Sequence, residues 1–249
     1  MNYKAIILDL DDTTVLHGKE NLPSPRVTEA IAKAKERIHV CIATARTLKD
    51  AMPVISHLSL SGPCIFTNGT QIYDPEKKKI VHEVLLPKEI IPKVYEICKK
   101  LHVTSMLYNG EKDLLVQDPD PDTKVLSIYV PQIEPERADA VVEALKVISG
   151  INVQKLSAWD KRYMSIDVTN EKASKLYGIV EVARLLHIKT EDIIGVGDGY
   201  NDFPLLMACG LKIAMGNAVP ELKEIADFIA PSVYDDGVAT VIEKFVLAG

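Results

Sequence analysis

Positive charge is in short supply in this chain of 249 residues. Lys and Arg number 29 against 35 Asp and Glu, a net charge of −6 with a pI near 5.6. Such a surface repels phosphate backbones, so a general nucleic-acid binder is excluded and no nucleic-acid partner is expected. Long apolar runs are missing too. None reaches the ~20 residues of a membrane-spanning helix, so no membrane partner is expected. Cysteine is sparse: Cys41, Cys64, Cys98 and Cys209 lie far apart and form no Cys-x-x-Cys. That excludes a disulfide framework and fits free thiols in a reducing compartment. The histidines (17, 39, 57, 82, 102 and 187) show no His-x-His or His-x-x-x-His spacing, which removes support for zinc. Residues 1–10 run into Asp9, Asp11 and Asp12, acids foreign to a secretory leader, so a cytoplasmic location is expected. What is present is ordinary for a folded protein: 47% hydrophobic and 26% charged residues, enough to bury a sizeable core.

Residues 5–8, Ala-Ile-Ile-Leu, make the continuous apolar run of a strand buried on both faces. The periodicity predicts a helix over 24–37, with Val27, Ala30, Ile31 and Ala34 on one stripe and Ser24 before Pro25 as its start. A strand over 38–43, a helix over 48–58 despite Pro53, and a third strand over 64–66 ending at Thr67-Asn68-Gly69 continue the alternation. This rhythm predicts a parallel sheet with helices on both faces. It then changes. A helix over 87–101, strands over 114–117 and 125–130 around a loop at 118–122, a helix over 134–148 and an alternating strand over 163–168 read as an α+β unit with an antiparallel sheet. From about residue 170 the first rhythm returns, with helices over 172–186, 203–208, after Pro220 and over 237–247, and strands over 193–196, 211–215 and 228–230. The expected fold is an α/β, Rossmann-like three-layer core with a parallel sheet, built from residues 1–84 and 170–249 and interrupted by an α+β module over 85–169.

The chemistry sits at predicted strand ends, where open parallel sheets bind ligands. Asp9-Leu10-Asp11-Asp12-Thr13 follows the first strand. Asp9 and Asp11 are two apart, so an extended backbone sends both the same way. Carboxylates that close repel unless a cation lies between them, and a hard divalent ion with oxygen ligands, Mg²⁺, fits that need. Gly197-Asp198-Gly199-Tyr200-Asn201-Asp202 follows another predicted strand and supplies two more acids and an amide.

These motifs resemble, in order and over nearly the whole length, the haloacid dehalogenase superfamily of phosphohydrolases. The family's Asp-x-Asp-Gly-Thr is matched by residues 9–13, its strand-end Thr or Ser by Thr44, its Lys by Lys175 and its Gly-Asp-Gly-x-Asn-Asp by residues 197–202. Thr67-Asn68-Gly69 and Ala214-Met215-Gly216-Asn217-Ala218 resemble the Cof-like subgroup, and the inserted module resembles a C2-type cap. One departure stands out: Asp12 occupies the place of the usual Gly. Asp tolerates positive φ better than most residues, so the loop is expected to survive.

The resemblance implies a Mg²⁺-dependent phosphatase acting on small phosphomonoesters, such as sugar phosphates, through an aspartyl-phosphate. Asp9 is the implied nucleophile and Asp11 the implied acid and base. The implied metal ligands are Asp9, Asp11 through its main-chain carbonyl, and Asp198, with Asp202 behind them orienting Lys175 or a metal-bound water. Thr44, Lys175 and Asn201 are the implied phosphate-binding residues. Arg46 is expected to pair with an acid. A phosphomutase of the phosphomannomutase type and a catalytically silent phosphate-binding protein are the rival expectations; no oligomeric state follows from the sequence.

Overall fold

A computed structural model describes residues 3–18, 21–115 and 123–248. Its first strand, β1 (Ala5–Leu8), has all four side chains buried, as a central strand of a covered sheet requires. The first half of the core continues through α1 (Pro25–Ala34), β2 (His39–Ile42), α2 (Leu48–His57), β3 (Cys64–Phe66), β4 (Gln71–Asp74) and β5 (Lys79–Glu83). The α1 helix begins as its sequence dictates: Ser24 Oγ accepts the Val27 N–H at 3.1 Å, and Pro25 occupies the first turn, where its missing N–H costs nothing. Its buried stripe is Val27, Ala30, Ile31 and Ala34. In α2 the Thr47 hydroxyl caps the Asp50 N–H at 3.2 Å.

The inserted segment comprises α3 (Ile91–Lys100), β6 (Met106–Tyr108), β7 (Asp113–Leu115), β8 (Ser127–Ile133), α4 (Pro135–Leu145), β9 (Ile151–Ser157) and β10 (Met164–Asn170). The chain then returns to the core with α5 (Lys175–Leu186), β11 (Ile193–Gly197), α6 (Phe203–Ala208), β12 (Leu211–Ala214), α7 (Pro220–Glu224), β13 (Phe228–Ile229) and α8 (Gly237–Ile242). Residues 83–174 form one compact unit and the rest of the described chain the other.

In the core unit, five parallel strands lie in the order β13-β12-β11-β1-β2, with Ala5–Leu8 paired to Ile193–Val196 on one side and His39–Ile42 on the other. The third predicted strand, Cys64–Phe66, meets the chain after β2 through a parallel bridge between Ala43 and Ile65, and pairs antiparallel with β4 in a β3-β4-β5 sheet that the sequence did not announce. Thr67, Asn68 and Gly69, all with positive φ, reverse the chain between β3 and β4. Helix α5 packs close on this strand. A Cβ on Gly178 would come within 2.8 Å of the Ile65 side chain, so the helix reaches its position only because residue 178 lacks one.

The inserted unit is α+β. Its antiparallel sheet runs β7-β6-β8-β10-β9, and its core joins Val94 and Cys98 of α3, Val141 and Leu145 of α4, and Leu107, Ile128, Ile166 and Val168 of the sheet. Strands β4, β5, β6 and β9 are not anticipated from the sequence; β4, β5 and β9 mix apolar with polar residues, and β6 is only the three residues Met106–Tyr108. The strand predicted over 114–117 is observed at Asp113–Leu115; residues 116–117 and the predicted loop at 118–122 lie outside the described residues.

Candidate active site

The path of the chain creates the site. From β1 it moves to β2 on one side, and later returns to β11 on the other, so the sheet order switches between β1 and β11. At such a switch point the loops leaving adjacent carboxyl ends diverge and open a crevice. Asp9 extends β1 by one more ladder bond, its N–H donating to the Val196 carbonyl at 2.9 Å. Asp198 follows β11 directly.

Three carboxylates converge here. One ligand oxygen from each of Asp9, Asp198 and Asp202 lies within 4.8 Å of the others. Among the described residues one cation sits between them: Lys175 Nζ, wholly buried at the start of α5, donates to Asp9 Oδ1 at 2.5 Å and to Asp202 Oδ1 at 2.6 Å. The other Asp202 oxygen accepts the backbone N–H groups of Asp198 and Gly199, both at 2.9 Å. That fold-back needs Gly197, whose added Cβ would lie 2.4 Å from the Asp202 carboxyl carbon. Both Asp202 oxygens are therefore engaged within the protein, and Asp202 acts on the cluster by holding Lys175 and the loop.

Charge is unbalanced: three acids face one ammonium. Burial, and then the Asp202 charge, push the Asp9 carboxyl well above its usual range, against the pull of Lys175. Burial and Asp202 likewise push Asp198 up to about 7, opposed by a 2.7 Å hydrogen bond from the Thr13 hydroxyl. Burial works against the Lys175 charge, yet Asp202 and Asp9 overcome it and raise its pKa. A buried anionic excess built from oxygen donors alone fits a hard divalent cation.

Asp11 lies outside this cluster. Arg46, its side chain buried, forks onto Asp11 with Nε to Oδ2 at 2.8 Å and Nη2 to Oδ1 at 2.6 Å, and also donates to the Gly18 carbonyl at 3.0 Å. His17 Nδ1 stands 3.9 Å from the same carboxylate. The cation on the Asp11 side chain is thus an arginine, and not an ion shared with Asp9 as the two-residue spacing predicts. Thr44 is buried at the end of β2; its N–H donates to the Ile65 carbonyl at 2.9 Å, and its hydroxyl accepts the Arg46 N–H at 3.1 Å. Asn201 is half-buried, with its Nδ2 3.5 Å from Asn68 Oδ1. Asn68 in turn donates its N–H to the Thr44 carbonyl at 3.1 Å, which ties the β2, β3 and β11 loops together.

The hydroxyls of Thr13 and Thr14 and the side chain of Asn217 hold the site in ways that no sequence motif announces. Thr14 Oγ1 donates to the Asp9 carbonyl at 2.6 Å, and Asn217 Nδ2 donates to the Asp12 carbonyl at 2.8 Å. Thr13 and Asn217 stood inside motifs that were visible; their partners, 185 and 205 positions away, were not.

The family model described as haloacid dehalogenase-like hydrolase matches residues 6–136 and 117–242. The chain belongs to that family. It is an enzyme, a phosphatase of the Cof-like subgroup. Over 250 residues it is 27% identical to 5-amino-6-(5-phospho-D-ribitylamino)uracil phosphatase from Bacillus subtilis, covering 99% of this chain and 97% of that one. Over 249 residues it is 27% identical to phosphoglycolate phosphatase from Methanobrevibacter smithii, covering 99% of this chain and 100% of that one. A haloacid dehalogenase-like hydrolase from Bacteroides thetaiotaomicron, solved by crystallography, superposes with a TM-score of 0.81 at 25% identity, over 97% of this chain and 99% of that one. Among the described residues no helix is long and apolar enough to cross a membrane.

Proposed function

We propose that this phosphatase hydrolyses small phosphomonoesters, sugar phosphates or metabolites of similar size, through an aspartyl-phosphate on Asp9 with Mg²⁺ as cofactor. One observation carries the reading: a buried carboxylate at the sheet switch point, gripped by Lys175 and crowded by two further acids. Relatives named for a phosphorylated ribityl compound and for phosphoglycolate support the substrate size.

Asp9 and Asp198, with the main-chain carbonyl of Asp11, would hold the metal. When bound, Mg²⁺ offsets the repulsion between the Asp9 carboxylate and a phosphate dianion. The chain's own residues do the rest. Lys175, with its ammonium held at Asp9, and the Thr44 hydroxyl bind phosphoryl oxygens, and Asn201 adds an amide donor. An Asp9 oxygen attacks phosphorus as the bond to the leaving oxygen breaks. Asp11, protonated and turned out of the Arg46 fork, gives that oxygen its proton. The resulting Asp11 carboxylate takes a proton from a water whose oxygen then attacks phosphorus, releasing inorganic phosphate and restoring Asp9. Asp202 orients Lys175. On the same reading residues 85–169 are a C2-type cap, the location is cytoplasmic, and the partner is a small phosphorylated metabolite.

The test is a phosphate-release screen over many phosphomonoesters with Mg²⁺, on wild type and Asp9→Asn. Expected are metal-dependent release by the wild type and none by the variant, with unchanged far-UV circular dichroism. Near-normal release by Asp9→Asn excludes the nucleophile. Isomerised hexose phosphate without free phosphate, from a hexose 1-phosphate, makes the protein a mutase instead.

A further inference from the structure

The loop that carries Asp9 and Asp11 contains an anomaly. Asp12 has φ +56°, a left-handed conformation that costs a residue with a Cβ more than it costs glycine. Its carboxylate accepts the His17 N–H at 3.3 Å. The backbone of residue 12 is held from the loop after β12. Asn217 Nδ2 donates to the Asp12 carbonyl at 2.8 Å, while Asn217 Oδ1 accepts the Val233 N–H at 2.8 Å. A carbonyl accepts only from the amide nitrogen and an N–H donates only to the amide oxygen, so the two contacts allow this carboxamide a single orientation. The peptide that Asn217 grips leads directly into Thr13, whose hydroxyl reaches Asp198, and Thr14, whose hydroxyl reaches the Asp9 carbonyl.

We propose that Asn217 is a positioning residue: it holds residue 12 in the left-handed conformation and thereby keeps the Asp9–Thr14 loop in its reacting form. It matters more here than it would beside a glycine, because an aspartate at position 12 gains more by leaving that conformation. The inference rests on the reading of Asp9 and Asp11 as the reacting groups. Asn217 itself touches neither carboxylate.

The test is a double-mutant cycle on the full chain: wild type, Asp12→Gly, Asn217→Ser and the double variant. Each is assayed with p-nitrophenyl phosphate and Mg²⁺ for kcat and KM, and for urea unfolding without metal. The lost Val233 contact is common to both backgrounds and cancels. In the Asp12 background, Asn217→Ser is expected to lower kcat about tenfold with KM within about twofold; in the Asp12→Gly background the kcat loss shrinks to about twofold. The unfolding constant is expected to show coupling of the same sign. Equal losses in the two backgrounds overturn the inference, as does an effect confined to KM. A wild type that hydrolyses no phosphomonoester defeats the functional reading, while the unfolding cycle still decides whether Asn217 acts through residue 12.

Discussion

Replacing Lys175 by Met tests the electrostatic design of the site. Lys175 Nζ lies 2.6 Å or less from two carboxylate oxygens, and its side chain is 0% exposed. Lys146 lies 2.7 Å from Glu143, but those side chains are 56% and 70% exposed. Distance alone predicts equal worth; burial separates them. At an effective dielectric of about 20, a pair at about 2.6 Å attracts by roughly 6 kcal/mol, much of it offset by desolvation. Deleting one partner of a buried pair costs about 3–5 kcal/mol, because the other charge stays buried and alone. Deleting one partner of an exposed pair costs about 1 kcal/mol or less.

The assay is urea unfolding with a chelator present. Trp159, the only tryptophan, lies in the inserted unit, so far-UV ellipticity is the readout. With an m-value of about 3 kcal/mol/M, Lys175→Met is expected to lower the midpoint by about 1–1.7 M, and Lys146→Met by about 0.3 M or less. The pH dependence has a definite sign. Asp9 and Asp198 are raised, so between the ordinary carboxylate range and about 7 the native state binds more protons than the unfolded state. The Lys175→Met loss is therefore larger at pH 8, where the orphaned acids are ionised, than at pH 5.5. Equal midpoints for the two variants, or the same loss at both pH values, would show that burial does not set the strength of this ion pair.

Three further outcomes follow from the geometry. Asp11→Asn is expected to slow alkyl monoesters by about 10²–10⁴-fold, and p-nitrophenyl phosphate far less, because a good leaving group needs little help from an acid; initial rates on the two substrates check it. Without metal, wild-type stability should fall as pH rises towards about 7, where Asp198 loses its proton, and saturating Mg²⁺ should flatten that slope in parallel urea titrations. Gly178→Ala should destabilise by about 1–3 kcal/mol through overpacking against Ile65 and lower kcat by shifting the helix that carries Lys175; thermal unfolding and kinetics read both effects.

The legible parts of this protein are those encoded by neighbours in the chain. The apolar run of β1, the capped stripe of α1 and the glycine-rich acidic loop after β11 are each complete within a dozen residues, so period and motif reveal them. Strand Ile151–Ser157 is only partly buried and shows weak contrast between its faces, so it leaves little trace in the sequence. The parallel placement of Cys64–Phe66 is legible from its apolar run, whereas its antiparallel pairing with β4 depends on a turn in which Thr67 and Asn68, neither of them glycine, take positive φ.

The order of residues alone implies that acids stand at the ends of two buried strands, that a smaller α+β module interrupts an α/β core, and that the motifs follow the order of one phosphatase family. Which charge meets which depends on the folded chain. Lys175 reaches Asp9 across 166 positions, Arg46 takes Asp11, and Asn217 reaches Asp12 across 205. The physical reason is that pairing depends on which loops the sheet order brings together, and in a low-dielectric interior an error of a few ångströms in that placement decides whether a carboxylate is neutralised or left alone.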